Sequence, residues 1–186
     1  RGLRRGVAAL CIGGGEATAI AVEVNRSTAG TIPLALVLTS VTASGGSNGI
    51  FLSSTSGSFS ILGDGTNVTK GGNASGGTIS NMTGADGATS GIGVYLNNAT
   101  NVSLRRMTLS NFENLGIFGL SVTGFTFQYG TVTGTLGTSS GSTDAAIAFG
   151  RSNPGGANGL FGTSTIDNCI VNNSIEHQLE FYNQSG

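Results

Sequence analysis

One stretch of this chain repeats itself, and the repeat constrains the fold more than any other feature of the sequence. Gly91–Leu96 alternates apolar with other residues at a period of two, the pattern of a β-strand with one buried face. Two short apolar segments follow, Val102–Leu104 and Met107–Leu109, and tight polar connections separate the three. From Gly116 onward the same order begins again. The sequence therefore predicts a recurring unit of three short strands and two corners.

The same unit can be aligned with much of the remaining sequence. Gly49–Leu52, Ala146–Phe149 and Gln178–Phe181 take the place of the first strand, at uneven spacing, so loops of variable length leave the corners. Short strands that cannot bury their apolar residues alone become stable when they stack as parallel ladders. The handedness of parallel crossovers makes such a stack right-handed. We therefore expect an all-β fold, a right-handed parallel β-helix (solenoid) of about five coils with three short strands per coil.

This alignment assigns side chains to columns. The inward column of the first strands is predicted to contain Ile50, Ile92, Ile117, Ile147 and Leu179. The outward column is predicted to contain Phe51, Gly93, Phe118, Ala148 and Glu180, with Tyr95 two residues further along its strand. Corner residues that favour left-handed backbone angles recur at Asn81, Asn111, Gly134 and Asn172.

Composition agrees with β-structure and excludes several classes of function. The 186 residues include 33 Gly, only 2 Pro and no Trp, and 9% of them are charged. A β-sandwich or an antiparallel barrel would favour evenly spaced hairpins with two-residue turns, whereas this pattern recurs every three strands. With 8 Lys and Arg and a formal net charge of −1, the chain lacks the clustered cations that nucleic-acid binding requires. No apolar run reaches the length of a membrane span.

The repeat also divides the chain. Residues 1–44 match it loosely and are predicted to form an irregular N-terminal edge and a first coil, whereas residues 45–186 form the β-helix segment. The pattern starts and stops within a unit, so we expect truncation at both ends. Open strand edges pair readily with other strands, which predicts flanking coils of a longer chain or self-association there.

The segments Gly91–Asn111 and Gly116–Gly134 resemble the parallel β-helix repeats of the pectate-lyase-like superfold. In particular, GIGVYLNNATNVSLRRMTLSN and LGIFGLSVTGFTF are similar to the long β-strand-repeat surface and secreted proteins of bacteria, and GTSTIDNCIVNNS and GDGTNVTKGGNASGGTISN fit the same repeats. The resemblance covers about residues 45–186. It implies an exported, autotransporter-like or adhesin-like protein, but the superfold hosts lyases, hydrolases, epimerases and passive stalks alike.

The sequence offers no recognisable catalytic set. Lyases and hydrolases on this fold use clustered acidic residues. The aspartates here are separate, with Asp64, Asp86 and Asp144 in glycine-rich loops and Asp167 at a corner. We interpret them as turn-forming residues, with calcium binding as the weaker alternative. His177 lies beside Glu176 without an identifiable nucleophile, which favours a structural role over proton transfer. We expect no catalytic residue, no metal site and no cofactor.

Three groups of residues are candidates for ligand contact. Outward rings at Phe51, Tyr95 and Phe118 would stack on sugars or pack against a partner, but packing under a corner loop explains them equally well. Arg105 and Arg106 would bind an acidic sugar or carboxylate from a corner, although solvated corner charges are favoured. The outward residues of the second strands form a hydroxyl column, a surface that would suit ice or crystalline polysaccharide but is also ordinary for exposed strands: Ser60, Ser103, Thr126 and Thr165.

These observations favour a non-catalytic structural or adhesive segment of an exported bacterial protein, secreted or held at the cell surface. Its expected partner is a cell-surface or extracellular polysaccharide, contacted through loops or a strand face. One alternative is a fragment of a polysaccharide lyase or glycoside hydrolase. The other is a glycan-binding module that uses the three aromatic residues.

Overall fold

The computed structural model describes residues 22–26, 28–139, 144–151 and 158–182, and within these ranges the chain forms strands and no helix. The all-β character is therefore confirmed. The strands are β1 (Val22–Asn25), β2 (Ile32–Leu38), β3 (Ala43–Ser44), β4 (Asn48–Ser53), β5 (Thr55–Ile61), β6 (Gly77–Met82), β7 (Ile92–Arg105), β8 (Met107–Phe112), β9 (Ile117–Gln128), β10 (Thr131–Leu136), β11 (Ala145–Phe149), β12 (Leu160–Phe161), β13 (Thr165–Asp167), β14 (Ile170–Val171) and β15 (His177–Phe181).

The strands form two parallel sheets that the chain visits in alternation. The large sheet has ten strands, with β1, β4, β7, β9, β11 and β15 in that order and β2, β5, β12 and β13 paired beside this path. The small sheet has five strands in the order β14, β10, β8, β6 and β3. Two parallel neighbouring strands must be joined by a crossover connection. Each time the chain leaves one sheet to form a strand of the other sheet, that excursion serves as the crossover between two parallel strands of the first sheet.

The predicted β-helix with three short strands per coil is wrong, because the strands assemble into these two sheets. Val102–Leu104, predicted as a separate second strand, lies within the same strand β7 as the predicted first strand. Asn98 and Asn101 of β7 do take left-handed backbone angles, with φ of 51° and 49°. Ser121 and Gly124 of β9 bend in the same way, and the pairing of the two strands resumes after each bend. Since both neighbours bend at equivalent positions, the ladder continues through a segment that the sequence predicts as a corner.

Buried side chains of both sheets form one apolar core. The predicted inward column is corrected at one position, because Val94, not Ile92, pairs with Ile50 and Ile117. A Cβ at the preceding Gly93 would lie 2.6 Å from the ring of Phe112 in the small sheet. Glycine here lets the two sheets approach closely.

The end of the small-sheet strands is marked by residues with left-handed angles. Asn81, Asn111 and Gly134 have φ of 58°, 59° and 83°, as their residue types predict. The fourth member of this column is Asn173 (φ 64°), whereas Asn172 was expected. The pairing of Val132 with Val171 places Asn173 opposite Gly134.

The N-terminal edge lies partly outside the described residues, because 1–21 and 27 are not described. The described part belongs to the two sheets: β1 pairs with β4, β2 with β5, and β3 with β6. At the other end, Leu179 of β15 pairs with Ile147 but remains 46% exposed, because no described strand follows it.

Candidate binding surfaces

The three aromatic candidates form one column on the large sheet. Phe51 pairs with Tyr95, and Tyr95 pairs with Phe118, so Tyr95 takes the place predicted for Gly93. The ring centroids are 5.0 Å apart between Phe51 and Tyr95 and 5.7 Å apart between Tyr95 and Phe118. These distances are typical of favourable aromatic pairs.

This column is a second small core and not an exposed aromatic strip. Tyr95 is 5% exposed and Phe118 is 4% exposed, so the expectation that these two rings face solvent is wrong. They pack with Ile92 and Leu115, while Phe51 is half-buried at the end of the column. Burial raises the pKa of the Tyr95 hydroxyl. Sugar stacking needs an open ring face, which the buried pair does not offer.

Arg106 is buried at the corner between the two sheets. It is 4% exposed and takes a left-handed angle (φ 56°). Its Nη1 donates to the carbonyl of Leu62 at 2.7 Å, and its Nε donates to the carbonyl of Asn67 at 2.6 Å. The guanidinium carbon lies 5.3 Å from the centre of the Tyr129 ring. The side chain thus fastens the loop of residues 62–76 to the sheet corner, and its Nε and Nη1 donors are engaged within the protein.

Asp64 organises the same loop from its outer side. Its Oδ1 accepts the backbone N–H groups of Thr66 and Asn67 at 3.0 Å each, and its Oδ2 accepts from Nδ2 of Asn73 at 2.6 Å. The Nε of Arg106 lies 3.2 Å from Oδ1. The backbone bond from Asn67, followed by the bond from Asn73, lowers the pKa of this carboxyl from 3.8 to about 2. Asp64 is a turn-forming residue here.

Arg105 differs from its neighbour, because it is half-buried and pairs in register with Gln128 on the outer face of the large sheet. Gln128 pairs in turn with Asp167, whose Oδ2 accepts from Nε2 of Gln128 at 3.4 Å. The Nε of Arg105 is buried without a hydrogen-bond partner. The two arginines of the predicted corner pair therefore have different roles, and they do not form one cationic grip.

Asn114 anchors a second loop, residues 83–91. The side chain is fully buried, and its Nδ2 donates to the carbonyls of Ala85 and Ser90 at 2.9 and 2.6 Å. Its Oδ1 accepts from the N–H of Gly87 at 3.1 Å. A buried amide with three such bonds fixes the path of the loop.

Asp144 is buried and takes the equivalent position before the next strand of the large sheet. The register of Ile147 with Ile117 places Asp144 opposite Asn114. Its Oδ2 accepts from the N–H groups of Thr138 and Ser139 at 3.0 and 3.3 Å, whereas its Oδ1 is buried without a hydrogen-bond partner. Burial raises the pKa of this carboxyl.

Sequence reasoning missed Asn114, and it identified Asp144 only as a turn-forming loop residue and not as a buried anchor. The sequence does contain a signal, because each residue is an amide or a carboxylate three positions before an isoleucine of a large-sheet strand, Ile117 or Ile147. The structural role of such a residue depends on the register between neighbouring strands, and a single sequence does not show that register.

Two further carboxylates influence Asp144. Asp86 accepts from the hydroxyl of Ser139 at 2.8 Å, and Glu176 accepts from the N–H of Asp144 at 2.9 Å. Both raise its pKa further. Among the described residues, no three His, Cys, Asp or Glu side chains are placed to hold a metal ion. His177 is exposed on β15 and pairs with Ala145.

Hydroxyl side chains form rows on both sheets. The column expected from the sequence is in register on the large sheet, where Ser60 pairs with Ser103, Ser103 with Thr126, and Thr126 with Thr165. The small sheet carries two such rows, which the sequence analysis did not single out. Thr78, Thr108 and Thr131 form the first, and Ser44, Ser80, Ser110 and Thr133 form the second.

Comparison with protein-family models, curated proteins and solved structures found no match to this chain. In the part of the chain that the structure describes, no helix has the length and apolar character needed to cross a membrane.

Proposed function

We propose that this chain is a non-catalytic structural and adhesive segment of an exported bacterial protein, which presents a rigid loop for contact with a surface or a glycan. One observation carries the proposal. The buried Arg106 donates to two carbonyls of the loop of residues 62–76 and thereby fixes a long, largely exposed connection to the sheets. Binding residues are concentrated on loops that a rigid scaffold positions.

The loop is also held at its far side. The N–H of Gly71 donates to the carbonyl of Asn168 at 2.9 Å, and the hydroxyl of Thr131 donates to the carbonyl of Gly71 at 3.0 Å. A connection of this length without its own strand or helix is unusual in a compact domain and is commonly functional. Ordering it in advance lowers the entropy lost on binding.

The tip between these anchors offers both apolar and polar contact groups. Val68 is 65% exposed, and Thr66, Thr69 and Lys70 beside it are exposed as well. An exposed apolar side chain among hydroxyls suits weak contact with a saccharide surface, whose rings are apolar on their faces and polar at their edges. We assign the contact to this tip.

Retention of the purified protein on immobilised pectin, alginate and β-glucan tests the proposal. Val68→Ser should reduce retention at least threefold on the polysaccharide that binds the wild type. The matched control is Val37→Ser, because Val37 is similarly exposed (63%) but lies within β2, where it pairs with Ser60, and does not belong to the loop tip. It should leave retention unchanged.

Two results would overturn the proposal. If the Val68→Ser and Val37→Ser variants are retained equally on the polysaccharide, the loop does not make the contact. Release of reducing ends or unsaturated products from any of the three polysaccharides would show an enzyme of the lyase or hydrolase class. The circular dichroism spectrum of each variant should match that of the wild type.

A further inference from the structure

Three connections between strands meet at Asp144, and each of them carries a carboxylate. Asp86 belongs to the loop of residues 83–91, here the Asp86 loop, while Asp144 ends the connection from β10 to β11 and Glu176 directly precedes β15. Glu176 accepts the backbone N–H of Asp144 at 2.9 Å, and the hydroxyl of Ser174 donates to the carbonyl of Asp144 at 2.6 Å. The chain has 9 Asp and Glu among its 186 residues, so a third of its acidic side chains gather at this point.

Ser139 joins two of these connections. Its hydroxyl donates to Oδ2 of Asp86 at 2.8 Å, and its backbone N–H donates to Oδ2 of Asp144 at 3.3 Å. The N–H of Thr138 donates to the same oxygen of Asp144 at 3.0 Å. One short segment is therefore bonded to both carboxylates, and through it the tip of the Asp86 loop is fastened to Asp144.

The carboxylate of Asp144 is enclosed, and one of its oxygens is unmatched. The side chain is fully buried, and its Oδ1 has no hydrogen-bond partner among the described residues. A Cβ at Gly137 would lie 2.5 Å from the Cβ of Asp144 and 2.8 Å from its Oδ2, so the carboxylate packs against the backbone and has little room to turn towards solvent. A buried ionised oxygen without a donor is costly, and taking up a proton relieves that cost.

The charged groups around Asp144 favour the same outcome. Burial is the largest cause that raises its pKa, and repulsion from Asp86 and Glu176 raises it further. The guanidinium of Arg151, just after β11, lies within electrostatic reach of Asp144 and Glu176 but does not bond to Oδ1. His177, beside Glu176, is exposed.

The base of the Asp86 loop is held separately from its tip. Asn114 and Glu113 accept the N–H groups of Gly87 and Gly84 at 3.1 and 2.6 Å. These bonds keep the loop attached when the bond from Ser139 to Asp86 is lost. A change at Asp144 is therefore confined to the tip, where the N–H of Ala88 closes a turn onto the carbonyl of Ala85 at 3.0 Å.

We propose that Asp144 is a proton-operated latch for the Asp86 loop: the protonated side chain lets Ser139 hold the tip, and the ionised side chain releases it. The enclosed arrangement favours the protonated carboxyl more than a solvated arrangement would, so by linkage the proton favours the enclosed arrangement. On ionisation, the repulsion between Asp144 and Asp86 acts across the residue that bonds to both. The proton comes from solvent and returns to it. This device is independent of the loop contact proposed above.

Amide hydrogen exchange of the folded protein, corrected at each pH for the intrinsic rate, tests the proposal. The N–H groups of Thr138 and Ser139 report on the bonds to Asp144, and the N–H of Ala88 reports on the tip. In the wild type, protection at all three should be at least threefold higher at about pH 4 than at about pH 8. Asp144→Asn, which keeps the acceptor without the charge, should be protected at both.

Two further variants sharpen the test. Asp86→Asn keeps an acceptor for the Ser139 hydroxyl but removes the repulsion, so protection at about pH 8 should rise towards the acid value. Asp86 is exposed, and this variant serves if Asp144→Asn does not fold. Asp167→Asn is the matched control, because Asp167 is an exposed corner carboxylate on β13, and it should respond to pH as the wild type does.

Three results would overturn the latch. The first is protection in the wild type that does not change with pH, and the second is an unchanged pH response in Asp144→Asn or Asp86→Asn. The third is a response at Thr138 and Ser139 without one at Ala88, which would make the titration of Asp144 local and leave the loop tip uncoupled from it.

Discussion

The Nη1 of Arg106 donates to the carbonyl oxygen of Leu62 at 2.7 Å, across 44 residues of sequence. Leu62 directly follows β5 of the large sheet, and Arg106 lies between β7 and β8. One buried side chain therefore defines where the long loop leaves the sheet. The guanidinium group of Arg106, which the sequence suggests as a ligand-binding group, instead forms hydrogen bonds that hold the protein's own loop in place.

Replacing Arg106 should destabilise the protein strongly. Hydrogen bonds that involve a charged group contribute about 1.5–3 kcal/mol each, and Arg106→Ala removes those to Leu62 and Asn67, so we expect a loss of about 3 kcal/mol or more. Urea denaturation measures it. Arg105→Ala is the control and should lower the free energy of unfolding clearly less than Arg106→Ala does, because Arg105 is only half-buried and its Nε has no hydrogen-bond partner to lose. Similar losses in both variants would refute the anchoring role.

Asp64 should make the stability depend on pH in a defined window. Its pKa in the folded state is lowered from 3.8 to about 2, so the ionised form is favoured by folding. The resulting stability is fully present above pH 3.8 and is lost as the pH falls from 3.8 through about 2. Asp64→Asn removes this contribution. The difference in unfolding free energy between wild type and variant should therefore shrink across that window, and a constant difference would contradict the assignment.

Asp144 should behave in the opposite way. Burial, and then the Asp86 and Glu176 carboxylates, raise its pKa, so the ionised side chain costs stability at neutral pH. That cost is relieved as the pH falls through the raised pKa. Asp144→Asn retains an acceptor for Thr138 and Ser139, and we expect a higher Tm than the wild type at pH 7. The gain should shrink as the pH approaches the ordinary value of 3.8. Asp144→Ala, which lacks the acceptor, should instead lower the Tm.

Gly93 should tolerate no side chain while Phe112 faces it. An alanine Cβ would lie 2.6 Å from the Phe112 ring and 2.7 Å from the carbonyl oxygen of Gly116. Overpacking of this kind costs about 1–3 kcal/mol, which chemical denaturation of Gly93→Ala would measure. In a Phe112→Leu background the penalty should be smaller by more than about 0.5 kcal/mol, because the two positions are in contact. If the effects of Gly93→Ala and Phe112→Leu on the free energy of unfolding simply add, the alanine Cβ does not clash with Phe112.

The sequence by itself determined the all-β character, the parallel pairing of the strands and several individual positions. Alternating apolar residues and scarce proline left little other than strands, and the residue types at Asn81, Asn111 and Gly134 predicted left-handed angles that the structure contains. These features are local, since they depend on neighbouring residues and on backbone sterics.

The tertiary structure alone decided how many sheets form and which faces are buried. The bend at Asn98 leaves the strand continuous because Ser121 bends beside it, and that agreement between two strands cannot be inferred from either one. Tyr95 and Phe118 alternate like solvent-facing residues, yet Ile92 and Leu115 pack against them on the second face of the sheet. A period of two distinguishes the faces of a strand but does not say whether one face or both will be covered.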